Sequence, residues 1–249
     1  MEGTAVRGRL TWQTATVGAV TDETSSVRTL SLDVPGWAGH RAGQHLDIRL
    51  TGDDGYQAER SYSIASAPED SRLTLTVERI DDGEVSPYLA GELRHGDQLE
   101  LRGPIGGHFT WRVEDGGPLL LVAGGSGLVP LMAMLRHRAA RQATIDTRLL
   151  ASSRSLEDLL YRDELMKLVG SEGLTIEFTL TRARPPGWSG YDRRVDAEML
   201  TVIGPRVSER PRIFVCGPTA FVESVADALV GIGHRPGAIH AERFGPSGG

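Results

Sequence analysis

The sequence of 249 residues predicts two folds in succession: an antiparallel six-stranded barrel, then a five-stranded parallel, doubly wound sheet. Residues 9–108 contain short segments rich in Val, Ile, Leu and Thr that are separated by turn residues, as in all-β barrels. After residue 118, apolar runs alternate with helical segments, which is the pattern of a parallel sheet covered by helices. We therefore assign residues 1–112 to a β-barrel domain and residues 113–249 to an α/β domain.

The bulk composition argues against several classes of protein. With 39% hydrophobic and 24% charged residues, the chain has the composition of a globular protein with a core in each domain. The net charge of −6 argues against a general nucleic-acid-binding protein. The amino terminus is polar and the apolar runs are short, so we expect no membrane association and a cytoplasmic location. The single cysteine, Cys216, excludes an internal disulfide and a cysteine-ligated iron–sulfur cluster, and we expect no metal site.

Turn residues separate the predicted strands of the barrel. Strands are predicted over residues 9–20, 27–34, 44–50, 58–65, 72–80 and 97–102. A helix is predicted over residues 85–93, because Ser86 is a favourable N-cap and Pro87 suits the first helical position. Free amides at a helix start can bind an anion, although a helix that only closes the end of the barrel would look the same.

The second half is expected to place its loops at one edge of the sheet. Strands are predicted over residues 119–123, 147–151, 174–181, 212–216 and 238–242, with helices over 128–141, 156–169, 194–200 and 219–232. The loop Gly124-Gly125-Ser126-Gly127 differs from GxGxxG, but its glycines would let backbone amides approach a phosphate at a helix start. A second turn, Cys216-Gly217-Pro218, should face the same crevice, because the carboxyl ends of parallel strands share one edge.

A polar segment of the fourth barrel strand, Arg60-Ser61-Tyr62-Ser63, has the residue types of a cofactor site. Alternation along a strand would place Arg60 and Tyr62 on one face and the two serines on the other. A guanidinium can pair with two oxygens of a pyrophosphate, and a tyrosine ring can stack on a flat heteroaromatic ring. Taken alone, the same pattern also suits a solvated sheet face.

The order of these motifs resembles that of the ferredoxin–NADP(+) reductase family of flavoproteins, over nearly the whole chain. The resemblance implies a flavin-binding barrel in which Arg60, Ser61, Tyr62 and Ser63 contact the flavin, with Tyr62 on the isoalloxazine ring and Ser63 near its N5. It also implies contacts to the ribityl chain and pyrophosphate from Val77, Glu78, Arg79, Gly83, Val85 and Ser86. The flavin is expected to be FAD, with FMN as the alternative.

The resemblance likewise implies a nucleotide-binding sheet. Gly124, Gly125, Ser126 and Gly127 correspond to the loop that binds NAD(P), and Cys216, Gly217 and Pro218 to the turn on the nicotinamide side. Glu242 and Phe244 are similar to the family's terminal acid and aromatic residue, whose ring covers the flavin until nicotinamide displaces it. The implied catalytic set is Ser63, Cys216, Glu242 and Phe244. The chain differs in having Phe244 in place of tyrosine and five residues after it.

The choice of nicotinamide nucleotide depends on the end of the second parallel strand, which has no acidic residue to bind a ribose diol. Ser153, Arg154 and Arg162 could instead hold a 2′-phosphate, which predicts NADPH rather than NADH. The family's NADP-specific members are similar in having a Ser/Arg pair here. The alternative is that both arginines are solvated charges at helix ends.

These observations predict an FAD-dependent NAD(P)H oxidoreductase that takes hydride from NADPH onto FAD and passes single electrons to a separate iron–sulfur or haem protein. One alternative is a reductase of free flavin or of small acceptors. Another is an electron-transfer subunit or non-catalytic module of a larger complex.

Overall fold

The computed structural model describes residues 10–245, in which two β-sheets form the framework. The barrel strands are β1 (Gln13–Asp22), β2 (Val27–Asp33), β3 (His45–Thr51), β4 (Gln57–Ser63), β5 (Leu73–Glu78) and β6 (Gln98–Ile105). They are antiparallel and adjacent in the order β4-β3-β6-β1-β2-β5. Alternate residues, among them Leu30, Ile48 and Leu101, point inward and are fully buried.

The two edge strands of this sheet, β4 and β5, meet at one end only. Ile64 forms an isolated bridge with Leu75, and the Ala65 amide donates to the Thr74 carbonyl at 2.8 Å. Beyond this point β4 pairs with β3 and β5 pairs with β2. The barrel is therefore open between the segment 60–63 on one side and the segment 77–79 on the other.

The second sheet contains β7 (Leu119–Gly124), β8 (Thr147–Ser153), β9 (Leu174–Leu180), β10 (Arg212–Pro218) and β11 (Ile239–Phe244). All are parallel, in the order β11-β10-β7-β8-β9. Every residue of β7 is buried, as expected for a central strand that is covered on both faces. Because the chain proceeds from β7 toward β9 and then returns to β10, the order reverses between β7 and β10. Ligands of open α/β sheets bind at such a point.

The helices α1 (Leu128–Ala140), α2 (Arg162–Leu168), α3 (Ala197–Ile203) and α4 (Thr219–Gly231) cover this sheet. One core contains Leu121 of β7, α1 and α2, together with Phe109 and Trp111 from the end of the barrel segment. The other contains Leu120 of β7 with α3 and α4. The barrel has a core of its own, and a few residues of the barrel domain also pack into the core of the parallel sheet. Among the helices of residues 10–245, none combines the length and apolarity that crossing a bilayer requires.

The two sheets confirm the predicted fold, but α2 begins six residues later than expected. Tyr161, directly before it, has a left-handed backbone (φ 53°) and a buried ring. Its hydroxyl donates to Thr76 Oγ1 of the barrel at 2.5 Å. A contact with a distant strand thus holds residues 156–161 outside the helix, against their local helical preference.

Two other helix predictions were wrong in detail. A helical segment forms over residues 86–92, as predicted, and ends in the π-helical turn Tyr88–Glu92, but Ser86 does not cap it: Ser86 Oγ accepts a hydrogen bond from the Ile80 amide at 3.0 Å instead. The third predicted helix begins at Ala197 rather than at residue 194. Its N-cap is Asp196, whose carboxylate accepts a hydrogen bond from the Met199 amide at 2.8 Å. The expected start of the first strand, at residue 9, and the tail after Gly245 lie outside the described residues.

Candidate active site

A cleft of about 430 Å³ lies at the carboxyl ends of the parallel strands, against the barrel. The barrel contributes Val27 and Glu78 to its walls, and the α/β domain contributes the glycine loop, the basic residues after β8 and β9, and Phe244. Of the residues predicted to bind nucleotide, it brings together Gly124, Gly125, Ser126, Ser153, Arg154 and Pro218. The cleft is thus built from both domains.

The glycine loop after β7 is fixed by close packing. A Cβ on Gly124 would lie 2.8 Å from the Phe221 ring, and one on Gly127 would lie 2.1 Å from the Cys216 carbonyl oxygen. Gly125 has a left-handed backbone (φ 56°), and a Cβ there would meet nothing within 4 Å. Gly127 and Cys216 are buried beneath the cleft, so the loop rests on the β10 turn and turns its backbone toward open space.

The cationic end of the cleft differs from the prediction. Ser153 and Arg154 line it, but Arg162 is exposed on α2 and is not part of its wall. Arg194, from the segment between β9 and α3, lines the cleft instead. Sequence reasoning missed Arg194, because it placed this residue at the start of a helix that in the structure begins only at Ala197. Phe221 was also missed, although its position three residues after Pro218, in the first turn of α4, was a usable signal.

Cys216 and Glu242 are direct register partners on the neighbouring strands β10 and β11. Cys216 is fully buried; burial, together with the nearby Glu242 charge, raises the pKa of its thiol. Burial also raises the pKa of the Glu242 carboxyl to about 7. The thiol is therefore neutral at ordinary pH, whereas the carboxyl can take up or release a proton near neutrality.

The predicted flavin residues on β4 lie at the opening of the barrel. The Arg60 guanidinium pairs with the Glu84 carboxylate, which also accepts a hydrogen bond from the Tyr56 hydroxyl at 2.7 Å. Ser61 Oγ donates to Asp47 at 2.7 Å. Tyr62 and Ser63 are half-buried, and burial raises the pKa of the Tyr62 hydroxyl. Arg60 and Tyr62 are therefore near the gap, while Ser61 is engaged with β3.

The opposite side of the opening is formed by the end of β5 and the loop after it. Val77 and Val85 are fully buried in the barrel core, so their side chains do not face the gap. Arg79 is exposed and pairs with Asp81 at 2.9 Å. Ser86 is buried and bonded to Ile80, and Gly83 lies in the loop between them. From this side, backbone groups and Glu78 face outward.

One hydrogen bond joins the barrel motif to the glycine loop. Ser126 Oγ donates to Glu78 Oε2 at 2.7 Å, and both residues line the cleft. At the far side, Phe244 ends β11, lines the cleft and packs on the core of the parallel sheet. The structure thus connects the two predicted cofactor regions directly.

Comparison with known proteins agrees with this architecture. Residues 14–111 match the family model of the oxidoreductase FAD-binding domain, and residues 121–227 match that of the oxidoreductase NAD-binding domain. Ferredoxin–NADP reductase B of Sorangium cellulosum is 36% identical over 210 residues, which cover 82% of this chain and 84% of that protein. The chain belongs to the ferredoxin–NADP(+) reductase family. This membership confirms the predicted succession of an FAD-binding barrel and an NAD(P)-binding sheet, and the class of flavoprotein oxidoreductase.

Other family members extend the comparison. The glycine betaine monooxygenase reductase subunit of Pseudomonas aeruginosa is 32% identical over 92% of this chain, which spans 63% of the length of that subunit. A ferredoxin NADP+ reductase structure from Neisseria gonorrhoeae, with bound FAD and NADP, has a TM-score of 0.80 and 25% identity. That likeness covers 93% of this chain and 98% of the other.

Proposed function

We propose that this chain is a reductase that uses FAD to take reducing equivalents from NADPH and delivers single electrons to a separate iron–sulfur or haem protein. The observation that carries the proposal is the cleft whose walls come from both the barrel and the parallel sheet. A nucleotide held there would face the open side of the barrel. FAD bound in the barrel would supply the chemistry, since a flavin accepts a hydride and can release electrons singly.

The barrel residues fit a flavin dinucleotide. Between β4 and β5 the strand edges are not paired to each other, so backbone donors and acceptors are available at the gap. Arg60 would exchange Glu84 for the pyrophosphate, Tyr62 would offer its ring, and Ser63 would offer its hydroxyl near the flavin N5. The backbones of residues 77–79 and 83–86 would line the opposite side.

The cationic end of the cleft supports NADPH. Arg154 and Arg194 line the same cleft as Ser153, and two guanidiniums with a hydroxyl suit a 2′-phosphate. The open backbone at Gly125 suits the pyrophosphate, because amides at the start of α1 favour negative charge.

Phe244, which lines the cleft, and the register partners Cys216 and Glu242 on β10 and β11 have distinct roles in the proposal. Cys216 would remain a neutral thiol, because its buried position raises its pKa. Glu242 would hold or release a proton at its carboxyl near pH 7. Phe244 would cover the reacting centre and exclude water until nicotinamide takes its place.

The relatives of this chain support a protein as the electron acceptor. A ferredoxin–NADP reductase and the reductase subunit of a monooxygenase are among its relatives. The same reasoning favours an acceptor that is a separate protein over free flavin.

The test is an anaerobic titration of the purified protein with NADPH and, separately, with NADH, followed in the visible flavin spectrum. We expect a co-purified FAD that NADPH bleaches at a much lower concentration than NADH, and that an added ferredoxin or cytochrome reoxidises in single-electron steps. A colourless protein that only reduces added flavin would favour the small-acceptor alternative. A bound flavin that neither nucleotide bleaches would favour the non-catalytic module.

A further inference from the structure

We propose that Glu78 and Ser126 form a paired hydrogen-bond acceptor for the nicotinamide nucleoside half of the dinucleotide, which offers carboxamide N–H and ribose hydroxyl donors. This inference rests on the proposed function and names a specificity contact of the same cleft. Glu78 ends β5 of the barrel, and Ser126 lies in the glycine loop after β7. Both line the cleft.

The hydroxyl of Ser126 has a single proton to donate. Ser126 Oγ donates to Glu78 Oε2 at 2.7 Å. A hydroxyl has one donor and two acceptor sites, and a carboxylate has acceptor sites only. Because the proton of Ser126 is directed to Glu78, both oxygens present lone pairs to the cleft. The pair can therefore accept hydrogen bonds from a ligand but has none to give.

The position of the pair along the cleft selects one half of the dinucleotide. The strand ends follow one another in the order β11-β10-β7-β8-β9, at a spacing of about 4.8 Å. Arg154 follows β8, and Phe244 ends β11, roughly 14 Å away by that spacing. Ser126, after β7, lies between them, and Glu78 reaches it from the barrel. With the 2′-phosphate at Arg154, the nicotinamide half lies on the side of Ser126 and Phe244.

The chemistry of the pair excludes a phosphate at this point. Phosphate oxygens only accept hydrogen bonds at neutral pH, and the carboxylate of Glu78 repels their charge. The nicotinamide nucleoside, in contrast, carries an amide NH₂ and two ribose hydroxyls. The pyrophosphate is thus left to the backbone of Gly124 and Gly125, and the acceptor pair fixes the direction in which the dinucleotide lies.

The test is calorimetric binding of NADP⁺ and of 2′,5′-ADP, which lacks the nicotinamide nucleoside, to the purified protein with its flavin. Glu78→Gln should raise the Kd for NADP⁺ about tenfold and change that for 2′,5′-ADP less than twofold, because it replaces a charged acceptor by a neutral amide. Ser126→Ala should raise the Kd for NADP⁺ by a similar factor. If the two act as a pair, the double variant loses no more than the larger single effect.

Matched controls separate this contact from a general change in charge. Glu223→Gln removes an exposed carboxylate from α4 and should leave both Kd values unchanged. The flavin content of each variant is measured by absorbance, and Kd values are compared only for the flavin-loaded protein, so that a loss of flavin is not counted as a loss of NADP⁺ affinity. The 3-acetylpyridine analogue of NADP⁺ has no amide N–H and identifies the ligand's donor group. If Glu78→Gln also raises the Kd for this analogue, the donor is a ribose hydroxyl. If Glu78→Gln leaves the Kd for the analogue unchanged, the donor is the carboxamide. Both results support the pair.

Two results would overturn the proposed acceptor pair of Glu78 and Ser126. One is an unchanged Kd for NADP⁺ in Glu78→Gln while the wild type binds normally. The other is tighter binding of both NADP⁺ and 2′,5′-ADP, which simple charge repulsion by Glu78 predicts. A wild-type protein that binds neither ligand would instead overturn the proposed function, and this inference with it.

Discussion

The hydroxyl of Tyr161, in the α/β domain, donates a hydrogen bond to Thr76 Oγ1 of the barrel at 2.5 Å, and both residues are buried. Thr76 is in turn 2.7 Å from the hydroxyl of Thr29, which donates to Glu23 at 2.6 Å. A chain of polar groups therefore crosses the boundary between the two domains. It fixes Tyr161, the residue before α2, against the barrel.

Removing the Tyr161 hydroxyl should weaken this connection. We expect Tyr161→Phe to lower the free energy of unfolding by about 1 kcal/mol, because one buried hydrogen bond is lost while Thr76 keeps Thr29 as a partner. Urea unfolding followed by fluorescence would measure the change. Tyr191→Phe is the control: Tyr191 forms an isolated bridge with Thr179 of the edge strand β9, and its substitution should change stability by less than about 0.5 kcal/mol. Equal effects of the two variants would contradict the assignment.

The packing of the glycine loop gives a second prediction. Gly127→Ala should lower the free energy of unfolding by about 2–4 kcal/mol, because its Cβ would overlap the Cys216 carbonyl. For the same reason it should abolish NADP⁺ binding. Thermal unfolding and calorimetry would show both effects. Gly231→Ala, at the end of α4 with nothing within 4 Å, should be neutral or slightly stabilising. A Gly127→Ala protein that binds NADP⁺ normally would show that the loop is not held as described.

Substitutions should distinguish the two arginines that line the cleft, Arg154 and Arg194, from Arg162, which does not line it. Arg154→Gln and Arg194→Gln should each raise the KM for NADPH about tenfold and leave that for NADH nearly unchanged, since each removes a charged contact to the 2′-phosphate. Arg162→Gln is the matched control, exposed and outside the cleft. Steady-state kinetics would measure the KM of each variant for NADPH and for NADH. An Arg162→Gln effect as large as the others would restore the prediction made from sequence.

Glu242 should make stability depend on pH. Burial raises the pKa of its carboxyl from 4.5 to about 7, so between these values the folded protein binds more protons than the unfolded chain. The stability contributed by this group is present below pH 4.5 and is lost as the pH rises to about 7. We therefore expect Glu242→Gln to stabilise the protein at pH 8 by more than it does at pH 5.

Urea unfolding at both pH values would measure this difference. Glu223→Gln, which removes an exposed carboxylate, should show no such dependence on pH. The same Glu242→Gln effect at pH 5 and pH 8 would mean that this carboxyl does not hold its proton in the folded protein.

Much of the fold follows from local patterns. The apolar run Leu119–Gly124 and the glycines after it predicted a buried strand and a tight loop, and the structure has both. Alternation and turn residues likewise predicted the barrel strands to within a few residues. The helix after β8 was predicted too long, because the contact of Tyr161 with Thr76 spans 85 residues and outweighs local helical preference.

The succession of barrel and parallel sheet and the motifs at their strand ends can therefore be predicted from local patterns, since periodicity and glycine content act over short stretches of chain. Three features emerge from the packing of the folded chain: Arg194 rather than Arg162 lines the cleft, Ser126 is hydrogen-bonded to Glu78, and the pKa of Glu242 is raised. Each of these depends on burial and on distances between residues far apart in the chain. Such distances are set when the two domains pack together, and no local pattern encodes them.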